Sequence, residues 1–444
     1  MVYSLHMIGI LINSNIKVHI QFLVKIKSCS NMLTFVKQSK CRMCGSKKLK
    51  TFLDLGKIPL VDYFKTKHDL SKKEKFFPLN VCICKSCKLV QLGYLVPPEK
   101  MFNSNFAWQS STTKYRTKIY FDMAKEICNR LKLQKNSFVV DIGSNDGVLL
   151  KGFKAKKMKI LGVDPSSNVA KIAISNGIDT IIDFFGPSTA SKILNKKGKA
   201  KVVTATNLFA HVHDYHSFMK GCSELLDTDG VFVFQSPYFK HLIRNNEYDT
   251  IYHEHASYIS VTPLLPFFAK YAMEIFDIKE IDIDGGSIRC YIGRKGIRPV
   301  STSVQKFVNY EKKSGLHTIT KLTKFSKEVK TQRKELLQIL KKLKKQDYRI
   351  VGVSAPAKGV VLLNFCGIDE KILDYVTEKA PLKIGKYVPG TKLKVFHDDI
   401  LSKDFPDYAL LLAWNFADEI IKNLKSFTKR NGKFIIPIPH PKIV

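Results

Sequence analysis

The chain has 444 residues, of which 45% are hydrophobic and 11% aromatic, and carries a formal net charge of +35. That length and apolar content exclude a disordered or fibrous protein and suffice for two or three domains with their own cores. The basic excess is spread over nearly every segment, and neither an aromatic-studded basic groove nor a reading helix is evident, which argues against a specific nucleic-acid partner.

Residues 1–38 read as an amino-terminal extension outside the fold. Its apolar stretch is broken by Asn, Ser, His and Lys, too often for the run of about 20 apolar residues that a membrane span needs. Met32 offers a second start. Ten cysteines without a secretory signal point to a reducing compartment, the cytoplasm.

Residues 39–111 form the next unit. "CRMCG" supplies Cys41 and Cys44, and "CKSC" supplies Cys84 and Cys87. Two C-x-x-C knuckles in one small segment make a closed tetrathiolate zinc site. With four protein ligands such a zinc staples a fold and cannot activate water. Cys82 lies close by at a spacing that suits no knuckle.

Residues 112–300 alternate helix and strand patterns. "SFVVDIGSNDGVLL" reads as a buried strand, a glycine-rich turn and a helix start, and "KILGVDPS" as a second strand ending in Asp164. This is a nucleoside-site layout, but the dinucleotide pattern G-x-G-x-x-G is absent. Acids stand where a pyrophosphate would be repelled, while a sulfonium with an amino-acid tail tolerates them. The pattern therefore favours S-adenosylmethionine over NAD or ATP. Strands "IDTIIDFF", "AKVVTATNLFAH" and "GVFVFQSPY" follow, then a hairpin of "EIFDIKEIDIDGG" and "SIRCYIGR". Seven strands in this order resemble a class I methyltransferase core. Asp141, Gly143, Asn145, Gly147, Asp164, Asp183, Phe184 and Asn207 fall at the carboxyl ends of the strands, where such sheets bind their ligands. The amino-methylating Asn/Asp-Pro-Pro-aromatic loop and a Pro-Cys nucleophile are both missing, which argues against a nucleic-acid base as methyl acceptor.

"DTIYHEHASY" holds two histidines around a glutamate. The zinc-protease pattern needs histidines four apart on a helix, and His253 and His255 are two apart, so this is no metal site. Proton handling remains. Residues 301–347 read as a connecting helix with one buried stripe, and residues 348–444 again alternate strand and helix. In that last unit Lys358, after "GVSAPAKG", and Lys383, Lys386 and Tyr387 in "PLKIGKYVPGT" suit phosphate oxygens.

The set of motifs "LDLGKIPLVDYF", "DIGSNDG", "NLFAHVHD", "YHEHASY", "GGSIRCY", "SAPAKGVVLLNFCGI" and "LLLAWNFADEI" resembles the C-methyltransferases that alkylate carbon 3 of a nucleotide-linked 4-keto deoxysugar. The likeness covers roughly residues 39–444. It implies an α/β protein in three parts: a small zinc-binding domain, a seven-stranded Rossmann-like methyltransferase core and a Rossmann-like carboxyl-terminal domain that holds the nucleotide-sugar. It also implies that the histidine ending Tyr-His-Glu-His, here His255, removes the carbon-bound proton. Glu254 is expected to orient that ring or stabilise its charged form, and Tyr252 and His211 to polarise the ketone or hold the enolate. His253 is expected to pack elsewhere.

Two positions depart from the family pattern. Phe106 stands in a loop where a tyrosine hydroxyl is common, and Gln235 where an acid is usual. Methyl transfer to oxygen or nitrogen, or an inactive nucleotide-sugar binder, are the competing readings. Nothing in the pattern sets an oligomeric state.

Overall fold

The computed structural model describes residues 35–104, 106 and 108–444. The first 34 residues of the extension, Met32 included, lie outside the described residues.

The amino-terminal sheet uses β1 (Leu49–Ile58), β2 (Phe77–Cys84) and β3 (Val90–Leu92) in antiparallel order. Alternating residues such as Leu53, Leu55, Leu79, Val81 and Ile83 put one face into the core. After α1 (Lys114–Arg130), capped by Thr113 accepting from the Arg116 amide, the central sheet begins. Its strands are β4 (Phe138–Ile142), β5 (Lys159–Val163), β6 (Thr180–Ile181), β7 (Ala200–Thr206) and β8 (Leu226–Pro237). Helices α2 (Val148–Ala155), α3 (Ser167–Ser175), α4 (Pro187–Lys197) and α5 (Tyr215–Leu225) connect them.

Beyond α6 (Phe239–Arg244) the chain leaves this sheet. Strand β9 (Ser257–Tyr258) pairs with β3, so the core contributes the edge strand of the amino-terminal sheet. After α7 (Val261–Ala269), the hairpin β10 (Met273–Ile281) and β11 (Ser287–Arg294) closes the central sheet in the order β10-β11-β8-β7-β4-β5-β6. Counted along the chain that is 3-2-1-4-5-7-6 from the β6 edge, the order expected of the methyltransferase core. The run β6-β5-β4-β7-β8 is parallel and β11 enters antiparallel.

The connecting segment is two helices, α8 (Thr302–Lys313) and α9 (Ile319–Lys345). The break falls at Gly315, whose left-handed φ of +62° ends the first helix. Leu322, Phe325, Val329, Leu336, Leu340 and Leu343 recur at helical spacing and form one buried stripe along α9. The stripe belongs to a core shared by the amino-terminal sheet and the last domain.

That last domain contains β12 (Ile350–Val353), α10 (Ala357–Cys366), β13 (Val376–Glu378), β14 (Val395–His397), β15 (Tyr408–Leu411), β16 (Lys433–Ile436) and β17 (Lys442–Ile443). Its sheet runs β14-β13-β12-β15-β16-β17, parallel except for the last strand. Among the described residues no helix is long and apolar enough to cross a membrane.

Candidate active site

The methyl-donor end is assembled from adjacent strand ends. The turn after β4 needs left-handed backbone at Gly143 and Gly147 (φ +70° and +76°). A Cβ at Gly143 would stand 3.0 Å from Leu208, and one at Gly147 3.1 Å from Ile178, so glycine is required twice over. Asn145, also left-handed, is pinned by its own side chain. Its Oδ1 accepts from the Ser110 amide at 2.9 Å and its Nδ2 donates to the Trp108 carbonyl at 3.1 Å. The Ser111 amide donates to Asp146 at 2.9 Å, and Asn168 Nδ2 to the Phe106 carbonyl at 2.8 Å. Residues 106 and 108–111 thus lie as a strap across the glycine turn.

Asp164 accepts from the amides of Asn145 and Ser166, both at 2.8 Å, and so orders the turn while keeping lone pairs for a ribose. Asp141 accepts from Thr204 Oγ1 at 2.6 Å. Burial pushes its carboxyl up to about 7, and Asp164 adds to the rise. No cation is among the groups that shift either acid. Asn207 Nδ2 donates to Asp284 at 3.0 Å, while its Oδ1 is buried without a partner, as is Ser144 Oγ. Asp183 is the outlier, bound to Lys192 at 3.1 Å and to Thr189 at the surface, with the Phe184 ring exposed beside it. Unpaired acids, an orphaned amide oxygen and an open aromatic face fit an adenosyl group that ends in a cationic sulfonium.

The proton-handling end draws on distant segments. His255 Nδ1 lies 2.7 Å from the Thr250 carbonyl. A carbonyl only accepts, so Nδ1 carries the hydrogen and Nε2 keeps its lone pair. The ring lies 3.9 Å from the Tyr252 ring and 5.0 Å from that of His211. Phe102 stacks on His211 at 5.6 Å and meets Phe106 at 5.5 Å. One row of rings therefore joins Phe106, His211, His255 and Tyr252. Burial lowers His255 to about 4, with Lys358 lowering it further and the Thr250 carbonyl opposing. Burial, then His255, hold His211 well below the ordinary imidazole value. Both rings are neutral at pH 7. His253 is buried and packs edge-on against Phe77, away from the row.

Glu254 does not orient His255; the Thr250 carbonyl does. Glu254 is buried and shares a hydrogen bond with Asp62, the two carboxyls flanked by Lys383. Burial and Asp62 push Glu254 well above the usual carboxylate range, so it carries the proton of the pair. Lys383 also donates to the Ala355 carbonyl at 2.9 Å, and Lys358 donates to Asn415 at 2.9 Å over the Trp414 ring. The charge of Lys358 acts on His255 and that of Lys383 on the carboxyl pair. Tyr387 exchanges backbone hydrogen bonds with Lys65, at 3.0 and 2.8 Å, tying the last domain to the amino-terminal one. Gln235 is buried in β8, where its side chain accepts from Arg289 on the facing strand β11 at 2.8 Å.

Three residues were missed by pattern reading. Asp284 binds both Arg116 and Asn207 at 3.0 Å. Its signal is the "DGG" that interrupts the hairpin, with Gly285 and Gly286 at φ of +86° and +109°. Asp62 lies in "LDLGKIPLVDYF" and Trp414 in "LLLAWNFADEI", but neither stretch has a spacing that tells what the residue does. The Trp414 indole donates to the buried Asp249 at 2.7 Å, one residue before the carbonyl that holds His255.

The four predicted zinc ligands converge. Their sulfurs lie within 4.8 Å of one another, with Cys41–Cys87 and Cys44–Cys84 each at 3.5 Å. Zinc–sulfur bonds of about 2.3 Å in a tetrahedron place sulfurs about 3.8 Å apart, so the set fits the metal. Cys82 stands apart, its thiol donating to the Gln91 carbonyl.

Family models match three segments of the chain. Residues 41–102 match a zinc binding domain, 115–271 a methyltransferase domain and 282–439 a C-methyltransferase C-terminal domain. The C-methyltransferase NovU of Streptomyces niveus is 30% identical over 406 residues, covering 91% of this chain and 96% of that protein. Among solved structures, an S-adenosylmethionine-dependent methyltransferase from Clostridium acetobutylicum ATCC 824 is 16% identical with a TM-score of 0.33, over 42% of this chain and 94% of that one. The magnesium protoporphyrin IX methyltransferase of Synechocystis PCC 6803 with bound SAH is 10% identical with a TM-score of 0.33, over 42% and 90%.

Proposed function

The chain belongs to the C-methyltransferase family, an S-adenosylmethionine-dependent enzyme with a structural zinc, and from that premise we propose that it methylates carbon 3 of a nucleotide-linked 4-keto deoxysugar through an enolate. The observation that carries this reading is the His255 ring, whose Nδ1–H is committed to the Thr250 carbonyl and whose Nε2 is a free base within a row of rings.

A hydroxyl or amine acceptor brings its own lone pair to the methyl group, whereas a carbon acceptor has none until its proton leaves. Carbon 3 beside a 4-ketone is acidified because the anion spreads onto the carbonyl oxygen. His255 Nε2 takes that proton, and the enolate forming alongside stabilises the imidazolium. Tyr252, held well above the ordinary phenol value by burial, keeps its hydroxyl hydrogen and can donate it to the enolate oxygen. Glu254 keeps its proton in the bond to Asp62 and leaves this step to Tyr252. Bound S-adenosylmethionine supplies the methyl group as an electrophile. Asp141, Asp164, Asn207 and the glycine turn hold it, with Phe184 beside the adenine. Lys358 and Lys383 supply positive charge toward the sugar's oxygens and diphosphate. The reading supports a cytoplasmic enzyme supplied by a sugar-nucleotide dehydratase type of reaction, the chemistry that creates a 4-keto deoxysugar.

The test is hydrogen exchange. A 4-keto deoxysugar nucleotide incubated in deuterated water without methyl donor should lose its carbon-3 hydrogen, and His255→Asn should stop this. A sugar that is methylated by the enzyme yet keeps that hydrogen overturns the mechanism.

A further inference from the structure

Between the first two zinc ligands stands Arg42, and its side chain leaves the zinc-binding segment. Nη1 donates to the carbonyls of Val212 and His213 at 2.5 and 3.2 Å. Nη2 donates to the Ala256 carbonyl at 2.6 Å and to Ser257 Oγ. The guanidinium lies 5.0 Å from the Tyr215 ring centre, and Nε is buried without a partner. Val212 follows His211, and Ala256 follows His255. One side chain therefore grips the two turns that carry the paired imidazoles, from 170 and 214 residues away in sequence.

The neighbouring contacts serve the same junction. The Leu92 amide donates to the Ala256 carbonyl at 3.0 Å, the Arg42 amide to Gln91 Oε1 at 3.0 Å, and Lys270 Nζ to the Met43 carbonyl at 2.9 Å. Two acceptor pairs on separate loops suit the planar fork of a guanidinium, which an ammonium cannot reproduce. Enclosing such a cation is costly without a counter-charge. No carboxylate is among its hydrogen-bond partners. Four thiolates around Zn2+ leave a net charge of about −2, one residue away.

We propose that Arg42 is a positioning residue through which the zinc knuckle sets the relation between His211 and His255. The metal then fixes catalytic geometry as well as folding the segment around it. This rests on His255 being the base.

The test compares wild type, Arg42→Lys and Ser257→Ala as full-length, zinc-loaded protein. Arg42→Lys should keep its zinc and bind S-adenosylmethionine within about twofold, yet lose carbon-3 exchange about 100-fold, the scale expected for a 1 Å misplacement. The fall should appear in kcat more than in KM. Nitrogen-15 spectra of the imidazoles should show His211 and His255 shifted, while His216 on α5 stays put. Ser257→Ala, which removes one acceptor, should show the same pattern at about tenfold. Exchange per zinc-loaded molecule within twofold of wild type, with unshifted His211 and His255 signals, overturns the proposal. If Arg42→Lys does not fold, Ser257→Ala decides it by the same two readouts. Wild type that exchanges no carbon-3 hydrogen would instead sink the base assignment, and the substrate-free spectra still decide the role of Arg42.

Discussion

The two ends of the site are built by different rules. The methyl-donor end comes from one sheet: Asp141 lies near the carboxyl end of β4, and Asp164, Asp183 and Asn207 follow strands β5, β6 and β7. The proton-handling end is a junction of all three parts of the chain. His255 is held by Thr250, Thr250 follows the Asp249 that Trp414 grips, Glu254 meets Asp62 and Lys383, and Arg42 reaches in from the zinc knuckle. A sheet of parallel strands delivers a binding crevice wherever it forms. A base with a defined tautomer beside a second neutral imidazole needs long-range contacts, and here they come from every domain.

If that contrast is real, the ends should fail separately. His255→Asn should have the largest effect, lowering carbon-3 exchange and methyl transfer by about 10²–10⁴-fold, the usual worth of a general base. Affinity for S-adenosylmethionine, measured by calorimetry, should not move. The acid limb of the exchange rate should lie near pH 4 rather than at the ordinary imidazole value. Burial lowers His255, so the ring is protonated and inactive only below about 4 and neutral above it. A limb near 6.5 would show that the ring is solvated and the junction open.

Next in size is the link across the junction. Trp414→Phe removes the one side-chain donor, among the described residues, to the buried Asp249 carboxyl. Losing a bond to a charged group is worth about 1.5–3 kcal/mol, so exchange should fall about 10–100-fold with donor affinity intact. If donor binding weakened in parallel, the two ends would be one mechanical unit.

The converse test acts on the donor end alone. Asp141 titrates near 7 because burial raises it, so in the free enzyme it holds its proton below that pH and releases it above. A sulfonium prefers the ionised form. Affinity for S-adenosylmethionine should therefore weaken as pH falls from 7 to 6, by at most about tenfold, the limit for one linked proton. Asp141→Asn should flatten that dependence and leave carbon-3 exchange unchanged.

The same contrast decides what could be read in advance. The placement of Asp141, Gly143, Gly147, Asp164 and Asn207 at the strand ends is legible because a strand followed by a turn is a local pattern. The four cysteines are legible because each knuckle is only four residues long. His255 is recognisable by motif, but its orienting partner is not: a glutamate next to it in sequence points away, and a backbone carbonyl five residues back does the work. Backbone carbonyls carry no side-chain signature. The contacts of Asp62, Trp414 and Arg42 are hidden for a related reason, since their partners lie far off in sequence and no spacing connects them. Gln235 misleads in the other direction. It occupies a position at the end of a core strand, yet its amide serves Arg289 across the sheet.

The smallest effect is expected at Phe106, which belongs to both ends. Its carbonyl accepts from Asn168 and helps hold the strap over the donor turn, while its ring reaches the row that runs through Phe102 to His211. Phe106→Tyr leaves the backbone contact in place, so donor affinity should be unchanged. The added hydroxyl enters a row that already has a phenol hydroxyl in Tyr252. Exchange should rise or fall by no more than about threefold, the scale of one extra hydrogen bond that is not required. A change above tenfold, measured on the same 4-keto sugar, would mean that the strap supplies a group to the chemistry, and the division between the two ends would have to be redrawn through residue 106.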